Sequence, residues 1–420
     1  MKKVFFKTFG CRTNLFDTQV MKQNLIDFQN TESEDEADII IVNSCTVTNG
    51  ADTAVRSYVR KMSRSGKKVL FTGCGVKNEG KSLYDKDLVY LAFGHSKKEQ
   101  INDFLKKDVR FYHSETPLND HLDKTIVRDF IGKSRAFLKI QEGCNFKCSY
   151  CIIPSVRGVS RSYESSKIID EIRSLVDSGI KEVVLTGTNV GSYGRDKEGD
   201  ISGLILRISQ IRGLKRVRIG SLEPSQIDER FLELLDLDVL EKHLHIALQH
   251  THDKMLAFMN RINRFKRDKI LLDKIAQKGF AIGTDLIIGH PGESEEIYQA
   301  GLANIKDLPL THVHPFIYSK RDGTKSASMP QAISQKNAKK RLHEIRDVIA
   351  QKNMDFRSQN KQKLFVLIEK SEPQEDGSKL YSGLDQFFNK IKIKSKKPLQ
   401  NSWLEISNYQ IYSDTNYAEI

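Results

Sequence analysis

Between Glu142 and Cys151 the chain reads EGCNFKCSYC, which sets Cys144, Cys148 and Cys151 at C-x3-C-x2-C spacing in a chain with only six cysteines. Thiols crowded onto one loop point to metal ligation. Structural zinc takes four protein ligands, and no partner C-x2-C lies within the distance a zinc ribbon needs. A four-iron cluster has four iron corners, so three cysteines hold three and leave the fourth open to a small ligand. The apolar run AFLKIQEGC that leads into the trio has strand length, which places the thiols on a strand-to-helix loop.

The other three cysteines sit singly at the ends of similar runs: Cys11 after VFFKTFG, Cys45 after ADIIIVNS and Cys74 after KKVLFTG. Helical patterns such as TQVMKQNLIDF and ADTAVRSYVRKMSRSG lie between them. Strand and helix in alternation imply a parallel sheet, and open sheets of this kind bind ligands beyond the carboxyl ends of their strands. All three cysteines fall there, so residues far apart in sequence converge in space. They are either ordinary buried cysteines, a zinc site lacking its fourth ligand, or the thiolates of a second cluster with one open iron. Their common place just past a strand favours the last.

From about Arg135 to Ser319 the strand-like runs recur as AFLKIQEGC, EVVLTGTNVG, RVRIGSLEP, HLHIALQH, FAIGTDLIIGHPGE and LTHVHPFIYS, separated by helical stretches such as SSKIIDEIRSLVDSG. About six such units suggest an open or partial β/α barrel, whose chemistry gathers at the carboxyl ends of its strands. Cys144, Gly187, Glu223, Gln249, Asp285 and Pro315 hold those positions.

At 420 residues and 39% hydrophobic the chain is long enough for two or three domains. Lys7 interrupts the apolar start MKKVFFK before it could serve as a signal core, and nothing approaches membrane-spanning length. Few, unevenly spaced cysteines then fit a reducing cytoplasm, where thiols bind metal more often than they pair. The net charge of +13 favours a polyanionic partner, with nucleic acid the leading candidate.

The C-x3-C-x2-C spacing, with Tyr150 before the last cysteine, resembles the signature of radical S-adenosylmethionine enzymes. In them the open iron chelates the methionine end of S-adenosylmethionine, and an electron from the cluster releases a 5'-deoxyadenosyl radical that abstracts hydrogen from an unactivated C–H bond. Two three-cysteine sets in one chain narrow the resemblance to the methylthiotransferases, with TFGCRTN, NSCTVT, FTGCG, EGCNFKCSYCIIPSVRGVSRS, LTGTNVGSYG, SLEP, TDLIIGHPGE and the RDGT at Arg321 in the expected order. The resemblance covers essentially the whole chain. It implies an α/β fold: an N-terminal parallel α/β domain over residues 1–115, a partial (β/α)6 barrel over 130–356 and a small C-terminal β-barrel-like, RNA-binding (TRAM-like) domain over 357–420. It also implies two 4Fe-4S clusters, one on Cys11, Cys45 and Cys74 for sulfur delivery and one on Cys144, Cys148 and Cys151 for the radical.

By the same resemblance Tyr150, Arg161, the Thr186–Asn189 turn with Gly187, Thr188 and Asn189, Glu223 and Gln249 form the S-adenosylmethionine pocket. An aromatic ring and main chain would meet adenine, a carboxylate the ribose or amine, and a guanidinium the carboxylate. Each has a plainer reading: a tight turn for TGTN, a helix cap for Glu223, a surface cation for Arg161. The chain departs from the family at His250, Thr251 and His252 after Gln249, and at His290. These histidines are expected to satisfy hydrogen bonds rather than to bind metal.

The tail alternates: NKIKIKSKK puts Lys390, Lys392, Lys394 and Lys396 on one strand face and Ile391 and Ile393 on the other. Lysines there either protect an edge strand or track phosphates. Within the family, TFGCRTN and NSCTVTNGADT most resemble the branch acting on threonylcarbamoyl-adenosine beside the tRNA anticodon; isopentenyl-adenosine and a ribosomal-protein aspartate are the other substrates. The implied partners are the tRNA anticodon loop, S-adenosylmethionine and an electron donor such as flavodoxin or ferredoxin. A non-catalytic iron-sulfur RNA-binding protein and a radical methyltransferase without sulfur insertion are the rival readings.

Overall fold

Residues 1–114, 121–127, 134–330 and 333–420 are described in a computed structural model of the chain. The first β-branched and aromatic runs form six parallel strands, β1 (Lys3–Thr8), β2 (Gln29–Asn30), β3 (Ile39–Ser44), β4 (Lys68–Gly73), β5 (Leu91–Ala92) and β6 (Phe111–Tyr112), in the order β2-β1-β3-β4-β5-β6. Both faces are covered, which is why β3 is apolar without a break. Ile39 and Ile41 pack with Val4, Phe6 and Met21 on one side, and Ile40 and Val42 pack with Val55, Val59 and Phe71 on the other. Helix α1 (Arg12–Gln23) follows β1, and α2 (Asn49–Arg64) follows β3, its start fixed by Thr48 Oγ1 accepting from the Ala51 amide at 3.2 Å.

The second unit contains β7 (Arg135–Glu142), β8 (Arg161–Ser162), β9 (Glu182–Gly187), β10 (Arg216–Ile219), β11 (His243–His245), β12 (Ala281–Ile288) and β13 (His312–Ile317). Parallel pairing runs β7-β9-β10 and β11-β12-β13, and the bridges Val217 to Leu240 and Leu222 to Ile246 join the two groups. The result is six parallel strands in chain order, an open barrel, with β8 antiparallel on the outer edge of β7. Phe16 and Val20 of α1 pack into the barrel's own core with Ala136, Leu138 and Ile140, so the N-terminal domain covers part of its open side.

Helix Gln335–Gln359 runs past position 356 and leads into β14 (Leu364–Pro373), β15 (Lys379–Leu384), β16 (Lys390–Ser395), β17 (Trp403–Ile406), β18 (Gln410–Ile411) and β19 (Asn416–Glu419). These form a curled sheet in the order β17-β14-β15-β16-β19-β18, antiparallel except for β16 with β19. Ile391 and Ile393 are buried, Lys390 and Lys392 exposed, as the alternation requires; Lys396 follows the strand. The sheet caps the starts of the barrel strands: Phe388 stacks on His243 at 4.9 Å, and Arg216 Nη1 donates to Phe365 O at 2.9 Å. The α/β architecture in three parts agrees with the sequence reading; positions 115 and 130 lie outside the described residues. Among the described residues no helix is long and apolar enough to cross a membrane.

Candidate active site

Cys11, Cys45 and Cys74 stand beyond the carboxyl ends of β1, β3 and β4, three adjacent strands of the first sheet. Gly10 has φ +98°, and a Cβ there would lie 2.5 Å from Cys45 Cβ, so the first two loops meet where only glycine fits. Asn14, three residues past Cys11, ties the set together. Its amide nitrogen donates to Phe9 O at 2.8 Å and Ser44 O at 2.9 Å, and its Oδ1 lies 3.9 Å from Cys74 Sγ.

Cys144, Cys148 and Cys151 follow β7. Gly143, at φ +77°, turns the chain where a Cβ would strike Val159 O at 1.9 Å. Gln141 braces the loop by donating from Nε2 to Gly143 O (2.7 Å) and Ser160 Oγ (2.9 Å), while its Oε1 accepts from the Asn189 amide (2.8 Å). Thr188 Oγ1 accepts from the Gly143 amide at 3.2 Å, and Asn189 Nδ2 lies 3.6 Å from Cys144 Sγ.

One cavity of about 700 Å3 joins the two sets: Cys11, Cys45 and Cys74 line it from one domain, Cys144 and Cys148 from the other. Thr186, Gly187, Thr188, Asn189, Glu223, Gln249 and Asp285 complete much of the barrel wall. Cys151 and Tyr150 line an adjoining cavity of about 280 Å3, which also touches Gln249 and Asp285. Tyr150 meets His290 edge-on at 6.3 Å between ring centres. Gln249 holds φ +67°, uncommon for a side chain of its size, while its amide donates to Asp285 O at 2.8 Å. Glu223 accepts from Arg261 Nη2 at 2.7 Å; burial raises its carboxyl, and Arg261 opposes that.

Arg161 does not reach the cavity. Nε donates to His121 O at 3.0 Å and Nη1 to Val159 O at 2.7 Å and Arg157 O at 3.2 Å, so main-chain carbonyls use up its fork. The expectation that it meets a ligand carboxylate is corrected: it stiffens the loop behind the cysteines. Pro315, expected at a strand's carboxyl end, lies within β13 paired with Leu286, away from the cavity wall. His250 lies 3.3 Å from Glu293, and His290 bonds Pro291 O and Ser326 Oγ at 2.8 Å each. His252 caps a helix by accepting from the Lys254 amide. These three are partnered within the protein.

Sequence reasoning missed Arg157, Asn14 and Arg261. Arg157 crosses between domains: Nε lies 3.2 Å from Cys74 Sγ, Nη2 donates to Asn14 Oδ1 (2.7 Å) and Asp17 Oδ2 (2.9 Å), and Nη1 to Glu142 Oε1 (2.7 Å). Lys139 adds contacts to Asp17 at 2.8 Å, Asp123 at 2.6 Å and Glu142 at 2.9 Å. The only sequence signals were the asparagine in TFGCRTN and the arginine in IPSVRG.

The thiols fit iron. Burial pushes Cys74 to about 12, against the pull of Arg157, and Cys151 to about 12; it also raises Cys45 and Cys144. Thiolates so placed need a bound cation to stay ionised. Nitrogen donors already face three sulfurs, since Arg157 and Asn189 are joined by Arg261 Nη1, 4.0 Å from Cys148 Sγ, an arrangement that tunes a cluster.

Residues 3–94 match the model of the uncharacterized protein family UPF0004 and residues 138–300 that of the radical SAM superfamily. A Helicobacter pylori protein named "Putative methylthiotransferase" is 59% identical over 418 residues, all of both chains. The threonylcarbamoyladenosine tRNA methylthiotransferase of Aquifex aeolicus is 31% identical over 86% of this chain and 91% of its own. The tRNA-2-methylthio-N(6)-dimethylallyladenosine synthase of Zymomonas mobilis is 30% identical over 88% and 86%. Among solved structures, the radical S-adenosylmethionine methyltransferase TsrM of Kitasatospora setae superposes with TM-score 0.62 at 15% identity, covering 78% of this chain and 77% of its own.

Proposed function

The chain belongs to the methylthiotransferase family of radical S-adenosylmethionine enzymes, with S-adenosylmethionine and 4Fe-4S clusters as cofactors, and we propose that it converts N6-threonylcarbamoyladenosine in the tRNA anticodon loop to its 2-methylthio derivative. The observation that carries this reading is the single cavity lined by both cysteine sets. Adenine C2–H has no acidic proton, so acid-base groups alone cannot open it, and sulfur must arrive at the same atom. When bound, the cofactors supply the radical, the sulfur and the methyl group.

The chain's own residues supply position and shielding. Cys144, Cys148 and Cys151 hold the radical-generating cluster, and Cys11, Cys45 and Cys74 the sulfur-delivering one. Asn189 and the Thr186–Thr188 turn, Glu223 with Arg261, Gln249 and Tyr150 surround S-adenosylmethionine. Arg321 seals the domain contact by donating to Asp52 and, through Nε, to Val47 O at 3.2 Å, limiting water beside the clusters. The charge of +13 suits tRNA, and we place the reaction in the cytoplasm with a flavodoxin or ferredoxin as electron donor.

The test is mass spectrometry of tRNA nucleosides from cells with and without the gene. Loss of 2-methylthio-threonylcarbamoyladenosine is expected. Loss of the 2-methylthio-dimethylallyl nucleoside instead would move the substrate to the other adenosine and overturn this one.

A further inference from the structure

Among the described residues the Arg12 side chain has no hydrogen bond or ion pair, although it lines the cavity beside Cys11. Its guanidinium carbon lies 5.9 Å from the centre of the Phe388 ring, so it points down the barrel axis toward the floor that the C-terminal sheet closes. The other two arginines of the cavity wall, Arg157 and Arg261, spend their donors on Glu142, Asp17 and Glu223. The Arg12 side chain is half-buried in the cavity wall, where water reaches it only in part. A cation in such a place lacks its counter-ion.

Asp285 does not serve as that partner. His245 Nε2 lies 3.1 Å from its Oδ2 and His314 Nδ1 3.6 Å from its Oδ1, and the two rings stack at 5.1 Å. By their spacing these three residues could hold a metal ion, and here the carboxylate is taken up by the two imidazoles. An anion is the occupant that the charges favour. The inner end of the cavity is therefore polar, formed by Arg12, His245 and His314 around Asp285, and of these charged groups the Arg12 guanidinium lacks an ion pair. A hydrocarbon substituent there would strip water from Arg12 and return nothing; a substituent ending in a carboxylate, with a hydroxyl and a carbamoyl along its length, would satisfy all three.

We infer that Arg12 binds the carboxylate of the substituent on adenine N6 and thereby sets the preference for threonylcarbamoyl- over dimethylallyl-adenosine. The inference rests on the reaction proposed above and names the residue that reads its substrate.

The test uses the full chain with reconstituted clusters and two anticodon stem-loop RNAs, one carrying threonylcarbamoyl-adenosine and one its carboxyl methyl ester, with the methylthio product quantified at several RNA concentrations. The native chain is expected to show a KM about tenfold or more lower for the free acid. Arg12→Gln is expected to bring that ratio toward one, and Arg12→Lys to recover part of it. Equal KM values with the native chain would overturn the assignment without recourse to any variant, as would an Arg12→Gln enzyme that keeps the native ratio. Product from a dimethylallyl stem-loop and from neither threonylcarbamoyl form would overturn the proposed substrate and this inference together, a pattern distinct from turnover without discrimination.

Discussion

Arg157 Nε lies 3.2 Å from Cys74 Sγ, although the arginine belongs to the barrel and the cysteine to the N-terminal domain. The contact makes one residue answer to both halves of the site, because the same guanidinium holds Glu142 at the foot of the Cys144 loop. Replacing Arg157 with Ala leaves Asp17 and Glu142 buried with less compensation, a change that costs on the order of 3–5 kcal/mol. The expected outcome is a lower melting temperature together with loss of about four iron atoms from about eight per chain, since Cys74 loses its donor. Iron analysis that returned the native content would show that Cys74 does not depend on the arginine.

The two cysteine sets should separate by readout. A Cys11→Ala, Cys45→Ala, Cys74→Ala variant is expected to cleave S-adenosylmethionine to 5'-deoxyadenosine under reductant yet make no methylthio product. A Cys144→Ala, Cys148→Ala, Cys151→Ala variant is expected to lose both. Chromatography of 5'-deoxyadenosine beside nucleoside mass spectrometry distinguishes them, and full product from the first variant would remove the sulfur-delivery role from the N-terminal set.

Cys11, Cys45, Cys74 and Cys144 were legible because each follows an apolar run, whose strand-end position can be read from local periodicity, and Cys148 and Cys151 by their spacing from Cys144. The runs that form the barrel strands were legible for the same reason. Arg157 was not: its partners Asn14, Asp17 and Cys74 lie 83 or more positions away, and nothing local marks which arginine of a basic chain will meet them. Arg161 misled because an arginine near the cysteines suits a carboxylate as well as it suits main-chain carbonyls, and only the path of the loop decides. The pair His245 and His314 escaped notice because β11 and β13 are separated by β12, which carries Asp285 between them.

Glu171 gives a pH dependence outside the site. Burial pushes its carboxyl to about 7, although the Val127 amide donates to Oε1 at 3.0 Å and Lys167 lies near. A carboxyl raised on folding costs nothing below its ordinary pKa, costs more as pH rises through that value, and reaches a constant penalty above about 7. Glu171→Gln keeps an acceptor for Val127 and removes the charge. The variant is expected to be more stable than the native chain at pH 8 by on the order of 1–3 kcal/mol, with the gap closing toward pH 4.5. Urea titrations at the two pH values measure it, and a gap that widened on acidification would contradict the sign.

Apart from its cysteines, Gly143 should be the least replaceable residue of the barrel loop. It sits at φ +77°, and the added methyl of Gly143→Ala would lie 1.9 Å from Val159 O and 2.7 Å from Gly158 O, main-chain atoms that cannot swing aside. Something in the loop must move, and what moves carries Cys144, whose amide donates to Gly158 O at 3.1 Å. The strain of a left-handed alanine alone is about 1 kcal/mol, so a larger loss of stability reports the clash. The expected result is a fall of at least about tenfold in 5'-deoxyadenosine formation, because about 1 Å of displacement at a reacting centre has effects of that size or larger. Gly66→Ala, also at positive φ but with open space around its Cβ, is the control: it carries the backbone strain without the clash and should leave S-adenosylmethionine cleavage at the native rate.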